Sequence, residues 1–352
     1  LDSVIQHVRL AISRSVAVMG RPDLGRVSIG VSLFPVQATS YEQLMGLADR
    51  ALYASKRMER NTTTVYNNSL SALMEMADQH MRSLIREIPD GTYVGTATVE
   101  DAGHGFGDLD ITATVKIEDD SCHIAIESPP QIPYFINSYE GNSYSGVYLG
   151  VMMFAQLPPP YNEGLYRCVS VDLGKKGTLC NAEEPAPHVN CTTTPMETLT
   201  DAVRKALEQA APERVSASWG HASGVNIAGI DPRTGEQYVT MVLASIISGA
   251  GATQVMDGWH ACGPLCCFGA LSSGDTELLE YSYPIIIRRY GLIQDSGGAG
   301  MYRGGSGTVW EVEPIDHEMT VVAFGEGRQI PTMGAAGAEN RLLEPKLGRL
   351  VV

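Results

Sequence analysis

The period that marks a buried helix face is clearest over residues 195–211 and stops at Pro212. Leu199, Ala202, Val203, Ala206 and Leu207 recur three and four apart, the spacing of one apolar helix face. Thr194 is placed to cap this helix, Pro195 to occupy its first position, and Glu197 to close a capping box. From residue 213 onward the apolar runs are short and glycine-broken, so they read as short strands with glycine-rich connections. Upstream, strands are expected at 93–99, 109–117 and 122–127, with Asp119-Asp120-Ser121 as the hairpin connection between the last two. A helix is expected over 69–87, stopped by Pro89-Asp90-Gly91, and a buried one over Tyr144–Leu157. The expected fold class is α+β, with the larger part of the chain β-rich.

At 352 residues the chain has room for two domains, or for one large domain and a smaller piece. The formal charge of −15 argues against nucleic acid and anionic membrane surfaces as partners. No apolar run is long enough to span a bilayer, and polar residues interrupt any signal-like core in the first twenty residues. The chain begins at Leu1 rather than Met, as a fragment would. Seven cysteines in a chain of this length fit reduced thiols and a cytoplasmic location better than a disulfide framework.

The first sixty residues follow a different pattern. Val4, Ile5, Val8, Ala11 and Ile12 are helically spaced, and Val27, Ile29, Val31 and Leu33 alternate as a strand does. Ser40 and Gln43 form a capping box for a helix that buries Leu44, Leu47, Ala48, Ala51 and Leu52. The pattern dissolves around Asn61-Thr62-Thr63-Thr64, which puts a domain boundary at 62–68. Residues 26–61, RVSIGVSLFPVQATSYEQLMGLADRALYASKRMERN, resemble the last strand and helix of a GGDEF (diguanylate cyclase) domain. The resemblance implies phosphate contacts at Lys56 and Arg60. Spaced i, i+4, these could present both charges from one helix face. The plainer reading is a solvated helix end, because the signature loop and the acidic metal ligands of a cyclase are missing. On this reading residues 1–66 are a truncated GGDEF-like α/β remnant without cyclase activity, too small to hold together alone.

Residues 67–352 carry a longer, ordered set of motifs: IPDGTY at 88–93, INSYEGN at 136–142, PPPYNEGLYR at 158–167, GTLCNAEEPAP at 177–187, DSGGAGMYRGGSGTV at 295–309 and FGEGRQIPTMGAAG at 324–337. These resemble the C-terminal half of the hydantoinase B/oxoprolinase family, which includes acetone and acetophenone carboxylase subunits. AIESPPQ at 125–131 departs from a stretch common in relatives and, together with SYEGNSYSGVY at 138–148, leans toward the carboxylase branch. The resemblance implies one subunit of a hetero-oligomeric, ATP-dependent complex acting on a cyclic amide or a ketone. A hydantoinase A-like partner would bind ATP and phosphorylate a substrate oxygen. ATP and a divalent metal belong to that complex, and no cofactor is expected to bind tightly to this chain. The family's N-terminal half, where its metal-ligand positions lie, has no counterpart here. The chain is therefore expected to be inactive alone. The runner-up is a non-catalytic fusion product that binds anions weakly through Lys56 and Arg60.

No catalytic residue can be named from these motifs. There is no GxxxxGK[ST] loop and no G-x-S-x-G elbow. The run 297–307 holds six glycines in eleven residues, so its backbone could approach an anion with Arg303 beside it. The commoner reading is a set of tight turns. His260, Cys262, Cys266 and Cys267 are the candidate metal ligands, although their spacing favours a loop of small buried thiols. His104, His188 and His221 stand isolated and read as hydrogen-bonded structural histidines rather than bases.

Overall fold

The computed structural model describes residues 5–8, 29–31, 40–41, 45–49, 51–52, 63–65, 69–155, 161–242, 247–271, 273–327 and 329–335. The chain divides into two compact units, Leu1–Gln79 with Asn162–Gly164, and His80–Tyr161 with Leu165–Val352. In the first unit, strand β1 (Ile29–Val31) pairs in parallel with β2 (Thr63–Val65). Thr63 and Thr64, where the sequence pattern dissolves, thus lie in a strand, consistent with the β preference of Thr and Val. Helix α1 (Ser69–Ile85) follows, and the division between the units falls within it.

The second unit opens on a four-stranded sheet of β3 (Gly91–Val99), β4 (Leu109–Glu118), β5 (Ser121–Glu127) and β6 (Val169–Asp172), in that spatial order. The first three are antiparallel, and β6 joins β5 in parallel. One face of β4 sends in Ile111, Ala113, Val115 and Ile117, all fully buried, at the two-residue period of a half-covered strand. Asp119 and Asp120 close the β4–β5 hairpin, with Asp119 left-handed at φ 55°. Arg82 of α1 and Arg86, just past its end, grip the Asp120 carboxylate at 2.8 and 2.5 Å, which ties the hairpin to the C-terminal end of that helix.

Helix α2 (Glu140–Ala155) and helix α3 (Met196–Ala210) lie against one another, and α3 covers β3 and β4. Three glycines set how close these elements come. A Cβ on Gly95 of β3 would stand 2.2 Å from the Ala202 carbonyl. Cβ atoms on Gly146 and Gly150 would meet Met196 and Val203 at 2.8 and 2.9 Å. Only hydrogen fits at these positions, so α3 is held tightly against both neighbours.

Beyond α3 come a three-stranded sheet, order β11-β7-β8, and a two-stranded one, β10-β9. Their strands are β7 (Ser223–Ile230), β8 (Gln237–Met241), β9 (Ile285–Leu292), β10 (Thr308–Pro314) and β11 (Met319–Gly325), with a short helix α4 (Thr276–Ser282) capped by the Asp275 side chain. A small core of Ile227, Val242 and Ile285 joins them, wrapped by Val225, Tyr238, Tyr283, Tyr290 and Trp310.

The glycine-rich segments form a layer of their own. Backbone hydrogen bonds run Gly305 N to Ala250 O, Ala250 N to Trp259 O and Gly220 N to Gly249 O, at 2.9–3.0 Å. A Cβ on Gly249 would lie 2.1 Å from the Gly305 carbonyl, one on Gly251 1.9 Å from that of Ala217, and one on Gly305 2.1 Å from that of Trp259. None of the six glycines within 297–307 has a positive φ. Gly297 and Gly305 are needed here for close approach of backbone to backbone rather than for turning the chain. Among the described residues, no helix is long and apolar enough to cross a membrane.

Candidate functional site

Helix α3 differs from its expected form at the N-terminus. Pro195 is the capping residue and no side chain caps the helix. Glu197 does not close a capping box. Its carboxylate is fully buried and accepts the backbone N–H groups of Ala222 at 2.6 Å and Cys266 at 2.7 Å. Tertiary donors outcompete the local ones because the side chain faces the interior rather than solvent.

The helix is also buried on a second, polar face. Thr198, Thr200, Asp201 and Arg204 lie inside with the apolar stripe. Asp201 Oδ1 accepts Arg204 Nε at 3.0 Å. Asp201 Oδ2 accepts the Ser218 hydroxyl at 2.5 Å and His221 Nε2 at 2.9 Å. The other ring nitrogen of His221, Nδ1, donates to Glu326 Oε2 at 2.8 Å, and the Thr198 hydroxyl donates to the same oxygen at 3.0 Å. Helix α3, the segment leading into β7 and the turn after β11 thus converge on one imidazole.

The electrostatics follow from this geometry. Burial works against a charged imidazole, but the hydrogen bonds and charges of Asp201 and Glu326 outweigh it and raise His221 well above its ordinary value. His221 is therefore a cation clamped between two anions, and it has no lone pair with which to act as a base. Burial would also raise Asp201, yet the Arg204 charge, His221 and the Ser218 hydroxyl hold it well below the usual carboxylate range. Glu197 shows the reverse balance: burial dominates and pushes its carboxyl up to about 7, against the pull of His221 and the two backbone donors.

This network lines a cavity of about 40 Å³, walled by His221, Asp201, Thr198, Glu326, Lys205, Thr98 and Glu100 and closed by Ile330–Met333. Glu100 Oε2 accepts the backbone N–H groups of Gln329 and Ile330 at 2.7 Å each, which anchors the closing segment. A second cavity of about 70 Å³ shares Thr332 and Met333 and is walled largely by the glycine layer.

Lys56 and Arg60 fall outside the described residues. Arg303 pairs with Asp295 at 2.6 Å, and its backbone N–H donates to Asp257 at 2.7 Å. His260 Nδ1 accepts the backbone N–H of Ser306 at 2.8 Å. Cys266 and Cys267 place their sulfurs 3.8 Å apart. Burial, then Glu197 and Cys267, push the Cys266 thiol far up, which disfavours the thiolate a metal requires. Among the described residues, no group of three or more His, Cys, Asp or Glu side chains is arranged to hold a metal ion.

Sequence reasoning passed over Asp201, Glu326 and Glu100 and treated His221 as solitary. The available signal was a pair of acidic residues four apart on α3, Glu197 and Asp201, followed by Arg204, together with the Glu326 embedded in FGEG. Nothing along the chain says that these segments meet.

The hydantoinase B/oxoprolinase family profile matches residues 53–346. The chain is 75% identical over 283 residues to the caprolactamase subunit beta of Pseudomonas jessenii, a match covering 80% of this chain and 49% of that protein. It is 25% identical over 288 residues to the acetophenone carboxylase delta subunit of Aromatoleum aromaticum, covering 78% of this chain and 41% of that one. The crystal structure of the ATP-dependent caprolactamase of Pseudomonas jessenii superposes with a TM-score of 0.70 at 61% identity, over 86% of this chain and 54% of the other. A nucleotide-free acetone carboxylase shares the fold, with a TM-score of 0.58 at 18% identity, over 75% of this chain and 36% of that one. The chain spans about half the length of the caprolactamase subunit it matches. On the strength of the profile match, this chain is a member of the hydantoinase B/oxoprolinase family.

Proposed function

We propose that this chain forms part of one subunit of an ATP-dependent cyclic-amide hydrolase acting on a lactam. The observation that carries this reading is the 75% identity, over 283 residues, to a caprolactamase subunit. The lean of AIESPPQ toward the ketone carboxylases has less behind it, since the acetophenone carboxylase subunit stands at 25%. The complex would include a hydantoinase A-like subunit that binds ATP with its divalent metal and phosphorylates the amide oxygen. The present chain would contribute the buried His221 network and its cavity. Arg303, at the edge of the glycine layer, is the place on this chain where an anion would be met. The complex would work in the cytoplasm.

Residues 26–61 keep their GGDEF-like reading as a segment without cyclase chemistry, and residues 53–61 fall in both it and the family match. With GTP and Mg²⁺ the chain should make no cyclic dinucleotide, and product above a protein-free control would overturn that reading.

The main test is reconstitution. The chain alone should not open caprolactam with ATP. Adding the ATP-binding subunit, together with the residues that complete the family's longer chain, should produce ring opening and ATP turnover. A complete complex that leaves lactams intact, or carboxylates a ketone instead, sinks the proposal.

A further inference from the structure

Cys266 and Cys267 are neighbours in a single 3₁₀ turn, Leu265–Cys267, and their sulfurs stand 3.8 Å apart. Both side chains are partly exposed, and residues 268–270, which follow, are exposed. A small solute therefore reaches the pair. The same turn holds helix α3 in place. The Cys266 N–H donates to Glu197 Oε1 at 2.7 Å and is one of the two backbone donors, with that of Ala222, on this buried carboxyl. The turn itself is closed by Cys267 N–H to Pro264 O at 3.1 Å and Phe268 N–H to Leu265 O at 3.0 Å.

Joining the two sulfurs means shortening 3.8 Å to about 2.05 Å. At three residues per turn, successive side chains point about 120° apart. The Cα atoms of neighbours lie about 3.8 Å apart across a trans peptide, closer than the roughly 4.4–6.8 Å that a relaxed disulfide spans. The bond therefore forms only if the turn unwinds, and unwinding carries the Cys266 N–H away from Glu197.

We propose that Cys266 and Cys267 are a redox-active dithiol that a peroxide oxidises to a disulfide, releasing the hold on Glu197. Cys266 is the poorer first nucleophile, because burial, then Glu197 and Cys267, push its thiol far up. Cys267 attacks first: an S–O bond forms, the O–O bond breaks, and water leaves with the thiol proton. The Cys266 sulfur then attacks that of Cys267, passing its proton to the Glu197 carboxylate beside it. The S–O bond breaks, and the departing hydroxide takes that proton as a second water. The two sulfurs lose two electrons between them, and the peroxide gains both. Glu197 lies four residues before Asp201 on α3, and its charge interacts with that of His221, so the release reaches the buried network. A disulfide between neighbours is strained and easily reduced, so glutathione reopens it and is itself oxidised to its disulfide.

The test uses this chain. With a small excess of hydrogen peroxide its seven thiols should fall to five, and peptide mapping by mass spectrometry should place the loss of two hydrogens on the peptide carrying Cys266 and Cys267. In the oxidised chain the amides of Cys266, Cys267 and Phe268 should lose their protection from hydrogen exchange while those of β3–β5 keep theirs. Glutathione should restore both thiols and protection. Cys267→Ser should leave Cys266 reduced under the same treatment, and Cys262→Ser should still form the bond. Pairing of either cysteine with Cys262 or with a second chain, oxidation that stops at sulfinic acid, or thiols left untouched overturns the proposal. A disulfide that leaves the amides of the turn protected, or that glutathione does not reduce, overturns it as well. Should the variants not fold, the mapping and exchange of the unmodified chain decide by the same outcomes.

Discussion

Helix α3 meets the four-stranded sheet through the side chains of Leu199, Ala202, Val203, Ala206 and Leu207, all buried. The glycine layer around Gly249, Gly251, Gly297 and Gly305 meets itself through backbone, at separations where even a methyl group would collide. The first region excludes water with apolar bulk, and its energy scales with the area buried. The second buries little apolar side chain and relies on hydrogen bonds between extended segments, so its tolerance is geometric. The His221 network is rooted in both: α3 supplies Thr198 and Asp201, while Ser218 bonds Asp201 and lines the glycine-walled cavity. A site so placed gets a rigid apolar wall on one side and close backbone packing on the other.

The largest expected effect breaks the network itself. Asp201→Ala would leave the buried Arg204 and His221 charges without their shared carboxylate and should cost about 3–5 kcal/mol in denaturant unfolding. A smaller loss would mean that water reaches this face of α3.

Next is the apolar region. Leu207→Ala, at a 2% exposed position, should cost about 2–5 kcal/mol. Gly305→Ala tests the glycine layer directly. Its Cβ would stand 2.1 Å from the Trp259 carbonyl, so the cost should lie at or beyond the top of the roughly 1–3 kcal/mol range for overpacking. Gly291→Ala in β9 has open space around its Cβ and should change stability by roughly 0.5 kcal/mol or less. Equal effects at Gly305 and Gly291 would refute the geometric account of the layer.

The pH dependence separates the buried acids. Glu197 binds its proton up to about pH 7 in the folded protein, against an ordinary value of 4.5. The unfolded chain releases that proton first, so stability should fall as pH rises from about 4.5 to about 7 and then level for this group. Glu197→Gln should flatten that stretch of the curve. His221, also raised, has the same sign: its contribution is complete below its ordinary 6.5 and is lost as pH climbs toward its higher folded value. Asp201 is lowered and has the opposite sign, its contribution being present above 3.8 and lost at more acidic pH. A Glu197→Gln profile that matches the unmodified protein between pH 4.5 and 7 would show that the carboxyl is better solvated than its burial indicates.

Much of the sheet and helix framework was legible from periodicity. The strands expected at 93–99, 109–117 and 122–127 agree with β3, β4 and β5 to within two residues at each end, because one face of each is covered and alternation records that directly. The apolar stripe of α3 was legible for the same reason. Its polar face was not, because a period registers only which residues are apolar, whereas Thr198, Asp201 and Arg204 are buried by virtue of the partners they meet. The glycine run at 297–307 stood out in composition, but its purpose did not, because turning the chain and admitting another backbone require the same residue. Local sequence thus determined the elements, their faces and the family. The site was decided by the tertiary structure, since Glu326 lies 105 residues from His221 and only the fold brings that carboxylate, Asp201 and Thr198 around one imidazole.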